Sequence, residues 1–211
     1  IKTNNVLEVE YINKGNKTNR NYCDGYSIQG ISGKIKGYLF NGTHTDIDQA
    51  NSFFTILLYV CNKHNISCDL IREYVGNRQN ILKVYNLTKH DILAVLFGNN
   101  QDKTTPYIIN FRTEIKNITK QLLEVEEYKH YLEISNKEHK QRVINNDFYD
   151  RNNTFMTLIL SHYEYKISNL LIEFCETNDV LVSVYMYDGI IVEGEHNEDF
   201  LNKMNMYVND K

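Results

Sequence analysis

The sequence lacks several features that would assign it to a class at once. Its 211 residues carry a net charge of −4, so no overall positive field draws the chain to nucleic acid. Its four cysteines form no paired framework, which argues against a disulfide scaffold and favours a reducing compartment. No apolar run approaches the roughly 20 residues that a membrane-spanning helix needs. We therefore expect no membrane segment.

Proline and targeting signals are equally scarce. Proline occurs once, at Pro106, while Asn, Ile, Lys and Tyr are abundant, a composition typical of AT-rich coding bias. The N-terminus has no signal-peptide pattern and begins at Ile1. We expect an intracellular fragment of a longer protein, from the cytoplasm or a viral replication compartment, and not a secreted protein. The length suffices for one domain with a core, or for a domain with an inserted lobe.

The hydrophobic pattern predicts an α+β fold with few strands. Residues 35–40 alternate and are rich in β-formers, and Asn41-Gly42 is a turn signal before a second strand at 43–48. Residues 180–194, with the sequence VLVSVYMYDGIIVEG, predict a β-hairpin around Asp188-Gly189. Helical spacing of apolar residues predicts helices at 49–61, 69–85, 88–98 and 107–132, and a long helix capped by Asn153 or Thr154. Residues 133–153 are predicted to be a loop.

Two acids stand out within this pattern. Asp46 lies at the end of a predicted strand, and Asp188 lies at the tip of an otherwise apolar hairpin. An acid in an apolar run is costly unless it is paired, hydrogen-bonded or bound to a cation. Two carboxylates on neighbouring strand ends would form an oxygen-rich Mg²⁺ site of the kind that serves two-metal phosphoryl transfer. Lys89, in the first turn of its helix, is a candidate for the cation that such a reaction also needs.

Three segments then resemble the motifs of family A DNA polymerases and the related single-subunit phage RNA polymerases. DIDQANSF at 46–53 resembles motif A, which runs Asp-x-x-Gln-x-Glu in the DNA enzymes, with Gln49 on the Gln and Asn51 on the Glu. KHDILAVLFG at 89–98 resembles motif B, the fingers helix that binds the incoming triphosphate. YMYDG at 185–189 resembles motif C. The order A, B, C is kept, as is a long helix before motif C.

The resemblance implies a polymerase palm, formed by a small antiparallel sheet with packed helices, and a helical fingers lobe. Residues 1–64 would hold the first palm part, 65–135 the fingers and 136–211 the second palm part. Its expected activity is template-directed nucleotidyl transfer with two Mg²⁺ ions, or Mn²⁺ in their place. The implied metal ligands are Asp46, Asp188 and the carbonyl of Ile47, the implied catalytic cation is Lys89, and the implied nucleotide-binding residues are Gln49, Asn51, Leu93, Phe97, Gly98 and Tyr187.

The sequence also departs from the family pattern. Tyr187 replaces the usual His of motif C, and Gly189 replaces its last residue, an acid in the DNA enzymes. Asn51 replaces the Glu that gates the sugar, so a choice between ribose and deoxyribose cannot be carried over. These features most resemble the compact branch found in virophages and large DNA transposons. In that branch the polymerase domain is often joined to a helicase and serves as a primase, so the implied partners are a primer–template, nucleoside triphosphates and a helicase domain on the same full-length chain.

Other functions stay open at this point. One alternative is a catalytically degenerate polymerase-like module that binds nucleic acid or a replication partner, which Gly189 and the weak net charge favour. A second alternative is another palm enzyme, such as a reverse transcriptase, because YMYDG loosely resembles the Tyr-x-Asp-Asp hairpin motif of those enzymes. A metal-dependent nuclease is a third. Primer extension separates these hypotheses, since a nuclease shortens the labelled strand and a binding module leaves it unchanged.

Overall fold

The protein has an α+β fold that combines helices with a small antiparallel sheet, as the sequence predicts. This computed structural model describes residues 2–3, 6–7, 9–12, 22–23, 25, 27–97, 104–145 and 150–211. The helices are α1 (Gly33–Phe40), α2 (Ser52–Lys63), α3 (Asp69–Val84), α4 (Lys89–Phe97), α5 (Pro106–Leu122), α6 (Lys129–Ile144), α7 (Arg151–Thr177) and α8 (Glu198–Asn209). The strands are β1 (Lys2–Thr3), β2 (Val6–Leu7), β3 (Tyr11–Ile12), β4 (Tyr22–Cys23), β5 (His44–Asp48), β6 (Val182–Tyr185) and β7 (Gly189–Glu193).

The chain divides into two compact units. The sheet unit comprises residues 1–50 and 162–211, and the helical unit comprises residues 51–161. No helix in the described part of the chain is long and apolar enough to cross a membrane.

The sheet unit is organised around β7. The three-stranded antiparallel sheet has the order β5-β7-β6, so β7 is central and both of its neighbours are edge strands. Alternation along the strands directs one face toward helices α7 and α8. The core on that face is formed by Leu171, Phe174, Cys175, Ile190, Val192 and Met204, with Ile47 packed against it. This core holds in place β5, which carries Asp46, and β7, which follows Asp188.

The helical unit has an aromatic core. Phe54 of α2, Tyr74 of α3 and Phe111 of α5 pack edge to face, with ring centroids 5.0–5.8 Å apart. All three are almost completely buried. The carboxylate of Glu114 on α5 accepts hydrogen bonds from two backbone N–H groups in the first turn of α3, at 3.0 and 2.9 Å, and so caps that helix. Side-chain packing and this cap hold α2, α3 and α5 together.

Helix α4 begins with the cap that the sequence predicts. The hydroxyl of Thr88 accepts a hydrogen bond from the N–H of Asp91 (3.2 Å), and the Asp91 carboxylate accepts one from the N–H of Thr88 (2.7 Å). This reciprocal pair satisfies N–H groups that the helix itself leaves unbonded. It fixes the start of the helix that carries Lys89.

Two segments differ from the sequence-based expectation. Residues 35–40, predicted as a strand, belong to helix α1, and none of the α1 residues is buried. Strand propensity is realised mainly by packing against cross-strand neighbours, and that packing is absent here. Residues 133–144, predicted as a loop, continue helix α6. This part of α6 has no apolar stripe, so apolar spacing does not predict the helix. The helix forms because Lys, Glu, Gln and Arg are good helix formers.

The start of the long helix and the hairpin tip also shift slightly. Helix α7 begins at Arg151, where the carboxylate of Asp150 accepts a hydrogen bond from the N–H of Asn152 (2.8 Å). The hairpin tip is Tyr187-Asp188 and not Asp188-Gly189, because the N–H of Met186 donates to the carbonyl of Gly189 at 2.9 Å. Gly189 is therefore the first residue of β7.

Candidate active site

Asp46 lies on the exposed face of β5. The register of β5 against β7 pairs Asp46 with Ile191, Ile47 with Ile190, and Asp48 with Gly189. Because side chains alternate along a strand, Asp46 and Asp48 share the exposed face while Ile47 points into the core. The carboxylates of β5 therefore face solvent, while the Ile47 side chain packs against the core and holds the strand in place.

Gly189 permits an unusually close approach between the two strands. A Cβ atom at this position would lie 3.1 Å from the Cα of Asp48 and 3.2 Å from the carbonyl carbon of Ile47, and closer still to the Ile47 carbonyl oxygen. No side chain fits there without movement of the backbone. An acid at this position, such as the DNA polymerases that the sequence resembles carry there, is therefore sterically excluded, and the Ile47 carbonyl lies beside the residue that follows Asp188.

Asp188 is held at the hairpin tip by its own backbone. Its carbonyl accepts a hydrogen bond from the N–H of Gln49 at 2.9 Å, which extends the β5–β7 pairing by one step. The side-chain amide of Gln49 donates to α7, to the carbonyl of Glu164 and the hydroxyl of Ser168, both at 3.4 Å. Gln49 therefore ties the end of β5 to both the hairpin and α7. Glu164 itself is buried.

The two acids are offset from each other along the sheet. Asp188 lies three residues before Ile191, the partner of Asp46, which is an offset of about 10 Å at roughly 3.3 Å per residue. Paired metals in phosphoryl-transfer sites lie about 3.5–4 Å apart, and each Mg²⁺ lies about 2.1 Å from its oxygen ligands. The backbone offset of the two acids is therefore comparable to the span of two such ions with one oxygen ligand on each.

The donor set is small. Across the described residues, no group of three or more His, Cys, Asp or Glu side chains is arranged to hold a metal ion. Mg²⁺ keeps several water ligands and is usually held by one or two carboxylates together with substrate phosphates. Asp46, Asp188 and the Ile47 carbonyl are compatible with that mode of binding, in which the substrate completes the site.

The N-terminal segment supports the hairpin from the side of β6. The hydroxyl of Tyr11 accepts a hydrogen bond from the N–H of Tyr185 (3.3 Å), and burial raises the pKa of Tyr11, so this hydroxyl stays protonated. The side-chain amide of Gln29 donates to the Tyr185 carbonyl at 3.2 Å. The ring of Tyr22 lies 5.5 Å from that of Tyr187, which remains partly exposed. Sequence patterns gave no signal for these contacts, since Gln29 lies 156 residues away from Tyr185.

In the helical unit, the predicted motif B residues lie on one face of α4. Lys89 is exposed and Leu93 and Phe97 are half-buried, at the i, i+4, i+8 spacing of a single helix face. The ring of Phe97 packs edge to face against Phe53, with centroids 5.1 Å apart. The other apolar residues of α4, Ile92, Ala94, Val95 and Leu96, are buried. Lys89, Leu93 and Phe97, which the resemblance predicts to bind nucleotide, therefore lie on the accessible face of α4.

Asn51 occupies a special backbone position at the start of α2. It is the N-cap residue in a left-handed conformation (φ 57°), which Asn tolerates better than most residues. Its side-chain amide nitrogen is buried and has no hydrogen-bond partner. A buried donor without a partner is costly, so this amide is available to a ligand acceptor. Gly98, the last predicted motif B residue, lies outside the described residues.

The predicted site residues therefore fall into two groups. Asp46, Ile47, Gln49, Tyr187 and Asp188 belong to the sheet unit. The last pair of the β5–β7 ladder is Asp48–Gly189, with Gln49, Tyr187 and Asp188 just beyond it and Ile47 and Asp46 in the next two pairs. Asn51, Lys89, Leu93 and Phe97 belong to the helical unit. The main feature that the sequence does not reveal is the role of Gly189, where the motif pattern shows only the loss of an acid.

Comparisons with known proteins give one relative. Over 211 residues the chain is 24% identical to a protein of the Sputnik virophage named "Putative helicase V13", in an alignment that covers 89% of this chain and 26% of that protein. The chain thus spans about a quarter of the length of this relative. No family model matches the chain.

Proposed function

We propose that this chain is the palm-and-fingers core of a template-directed nucleotidyltransferase, a polymerase or primase-polymerase. The observation that carries the proposal is the β5–β7 register, in which the strand bearing Asp46 and the hairpin bearing Asp188 are neighbours in one sheet. These two acids are 142 residues apart in the sequence (188 − 46). Chain order, motif spacing and strand pairing thus support the same assignment from different directions.

In this proposal Asp46, Asp188 and the carbonyl of Ile47 hold two Mg²⁺ ions. When bound, such ions activate an attacking hydroxyl and stabilise the leaving oxygen of an in-line phosphoryl transfer. The task of the protein is to hold the carboxylates apart at a fixed offset. Gln49 contributes by tying the strand end to the hairpin and to α7, and Gly189 contributes by allowing the strands to approach.

The helical unit would bind the incoming nucleotide. Lys89, exposed on the first turn of α4, would meet the triphosphate, where a cation offsets the charge that spreads over the transferred phosphate. Phe97 and Gly98 would lie under the templating pair, with Leu93 beside them on the same helix face. The buried amide of Asn51 would lie near the sugar, and Tyr187 would contact the nucleotide from the hairpin tip.

The virophage relative supports a role in replication. That protein is named as a helicase, and the chain covers about a quarter of it. We propose that the present chain works beside a helicase on one full-length protein, inside the cell that hosts a virus or mobile element.

Primer extension tests the proposal. A labelled primer–template is incubated with Mg²⁺ and all four nucleotides, and the strand length is read on a denaturing gel. We expect Asp46→Asn and Asp188→Asn each to lower extension by at least about a hundredfold, since each removes a metal ligand. Asp199→Asn on α8 is the matched control, because Asp199 is an exposed acid of the same unit in an ion pair with Lys203. It should leave extension unchanged.

A binding module is the second candidate, favoured by the small donor set around Gly189. It predicts that the wild type binds duplex but does not extend the primer, and that neither aspartate substitution changes binding. Shortening of the labelled strand would instead indicate a nuclease. Equal extension by the wild type and both aspartate variants would refute the two-metal assignment.

A further inference from the structure

Helix α1 presents an apolar face to solvent. Ile35, Tyr38 and Leu39, at the i, i+3, i+4 spacing of one helix face, are 52%, 88% and 51% exposed. No residue of α1 is buried. A contiguous apolar face of this kind, rimmed by polar groups, marks an interaction surface more often than an idle one. We call Lys34, Ile35, Tyr38 and Leu39 the α1 surface.

The charge around the α1 surface is positive. Residues 25–45 contain Lys34 and Lys36 and no acid, although the whole chain has a net charge of −4. The remainder of the chain therefore carries −6 (−4 − 2). Lys34 lies one helical turn before Tyr38 and makes no ion pair with any residue that the structure describes. Its charge is thus available to a ligand with negative charge.

Helix α1 contacts the hairpin that carries Asp188 through Lys36, which lies outside the α1 surface. The ammonium of Lys36 is 3.7 Å from the sulfur of Met186, immediately before the hairpin tip. Tyr187 at that tip is 37% exposed and packs against Tyr22. The sheet unit therefore has an exposed tyrosine ring on α1 and another at the hairpin that α1 contacts through Lys36.

From these features we propose that the α1 surface binds single-stranded nucleic acid, with bases stacking on Tyr38 and phosphates contacting Lys34. Single-strand sites combine basic groups that follow the backbone with aromatic rings on which bases stack. A duplex hides its base faces, so it gains little from Tyr38. The inference does not depend on the proposed nucleotidyl transfer, because binding at α1 needs neither metal nor nucleotide.

Fluorescence anisotropy with a labelled oligothymidine, in EDTA and without nucleotides, tests the inference. We expect Tyr38→Ala to weaken binding about tenfold, and Tyr38→Phe to retain it because the ring remains. Lys34→Gln should reduce the slope of log affinity against log salt by about 0.7, as one phosphate contact is lost. A duplex of equal length should bind Tyr38→Ala and the wild type alike.

Controls on α8 separate this surface from general effects. Met206 is an exposed apolar residue (64%) of the same unit, and Lys203 is an exposed lysine, so Met206→Ala and Lys203→Gln should bind like the wild type. Circular dichroism melts check that Tyr38→Ala folds normally, as expected for an exposed helix position. Wild-type affinity in Tyr38→Ala and Lys34→Gln would overturn the inference. So would a wild-type dimer that Tyr38→Ala dissociates without any change in strand binding, because the face would then bind a second copy.

Discussion

The two units of this protein hold their candidate functional residues by different means. In the sheet unit, Asp46 and Asp188 depend on how closely two backbones approach, since β7 meets β5 at a glycine that has no room for a side chain. In the helical unit, Lys89 stands on a helix whose opposite face packs into a side-chain core. One site is built from main-chain geometry and the other from packing.

This difference predicts which kind of substitution destabilises each unit most. Large-to-small substitutions should harm the helical unit most, because its stability depends on filled volume. Small-to-large substitutions at the strand crossing should harm the sheet unit, because its carboxylates depend on a short interstrand distance. Exposed functional side chains in either unit should be replaceable without loss of stability.

The largest effect is expected for Phe111→Ala in the helical unit. Phe111 is fully buried and contacts the rings of Phe54, Tyr74 and Tyr107. The cavity should lower the free energy of unfolding by about 3–5 kcal/mol, measured by urea denaturation. Ile109→Ala, on the exposed side of the same helix, should cost less than about 0.5 kcal/mol. Similar costs for the two variants would contradict the packing account.

Gly189→Ala tests the sheet unit by adding a methyl group, whereas Phe111→Ala removes volume from the helical unit. The added methyl would overlap the Ile47 carbonyl region, so we expect a loss of about 1–3 kcal/mol in unfolding free energy, together with reduced primer extension. Gly37→Ala in α1 is the control, because a Cβ there meets nothing within 4 Å. It should stabilise the protein by about 0.5–1 kcal/mol, as alanine favours helix. Equal effects of the two alanines would show that the strand approach is not constraining.

Lys89→Ala separates function from stability within the helical unit. Lys89 is exposed, so thermal unfolding should not change. If Lys89 meets the triphosphate, single-turnover extension should fall by about tenfold or more, from a lost cation at the reacting phosphate. His90→Ala, at the neighbouring exposed position, should extend primers like the wild type. Loss of activity in both variants would assign the effect to the helix and not to the lysine.

Thiol labelling gives the smallest perturbation and compares burial in both units. Burial raises the pKa of Cys61 and Cys68 in the helical unit, and raises that of Cys175 in the sheet unit to about 11. These thiols stay protonated near neutral pH, and only the thiolate reacts. Cys23 alone is partly exposed. One thiol should therefore label quickly in the native protein, and Cys23→Ser should remove that fast phase.

Much of this architecture is readable from the sequence where local signals agree. The Thr88–Asp91 cap, the helix after β5 and the hairpin at Asp188 each combine a turn or cap residue with a clear apolar period. Such signals are local, and the fold realises them without competition from distant contacts. The pairing of β5 with β7 follows less directly, because the two strands lie far apart in the sequence and no local pattern reports their pairing.

The misses have physical causes of two kinds. Helix α1 and the polar end of α6 bury little, so the hydrophobic period that distinguishes helix from strand carries no information there. At Gly189 the motif pattern indicates only the loss of an acid, whereas the structural reason for the glycine is the close approach of the Ile47 backbone on the neighbouring strand. No pattern along one chain segment reports how closely another segment approaches it.

The position of β5 at the sheet edge has a consequence for solubility. An edge strand offers unpaired N–H and C=O groups on which another copy can add a strand, and charged side chains on such strands prevent that pairing. Asp46 and Asp48 place two negative charges on the exposed face of β5. A second copy pairing there antiparallel would bring like charges together. Asp46, the proposed metal ligand, and its neighbour Asp48 therefore also disfavour aggregation through this edge of the sheet.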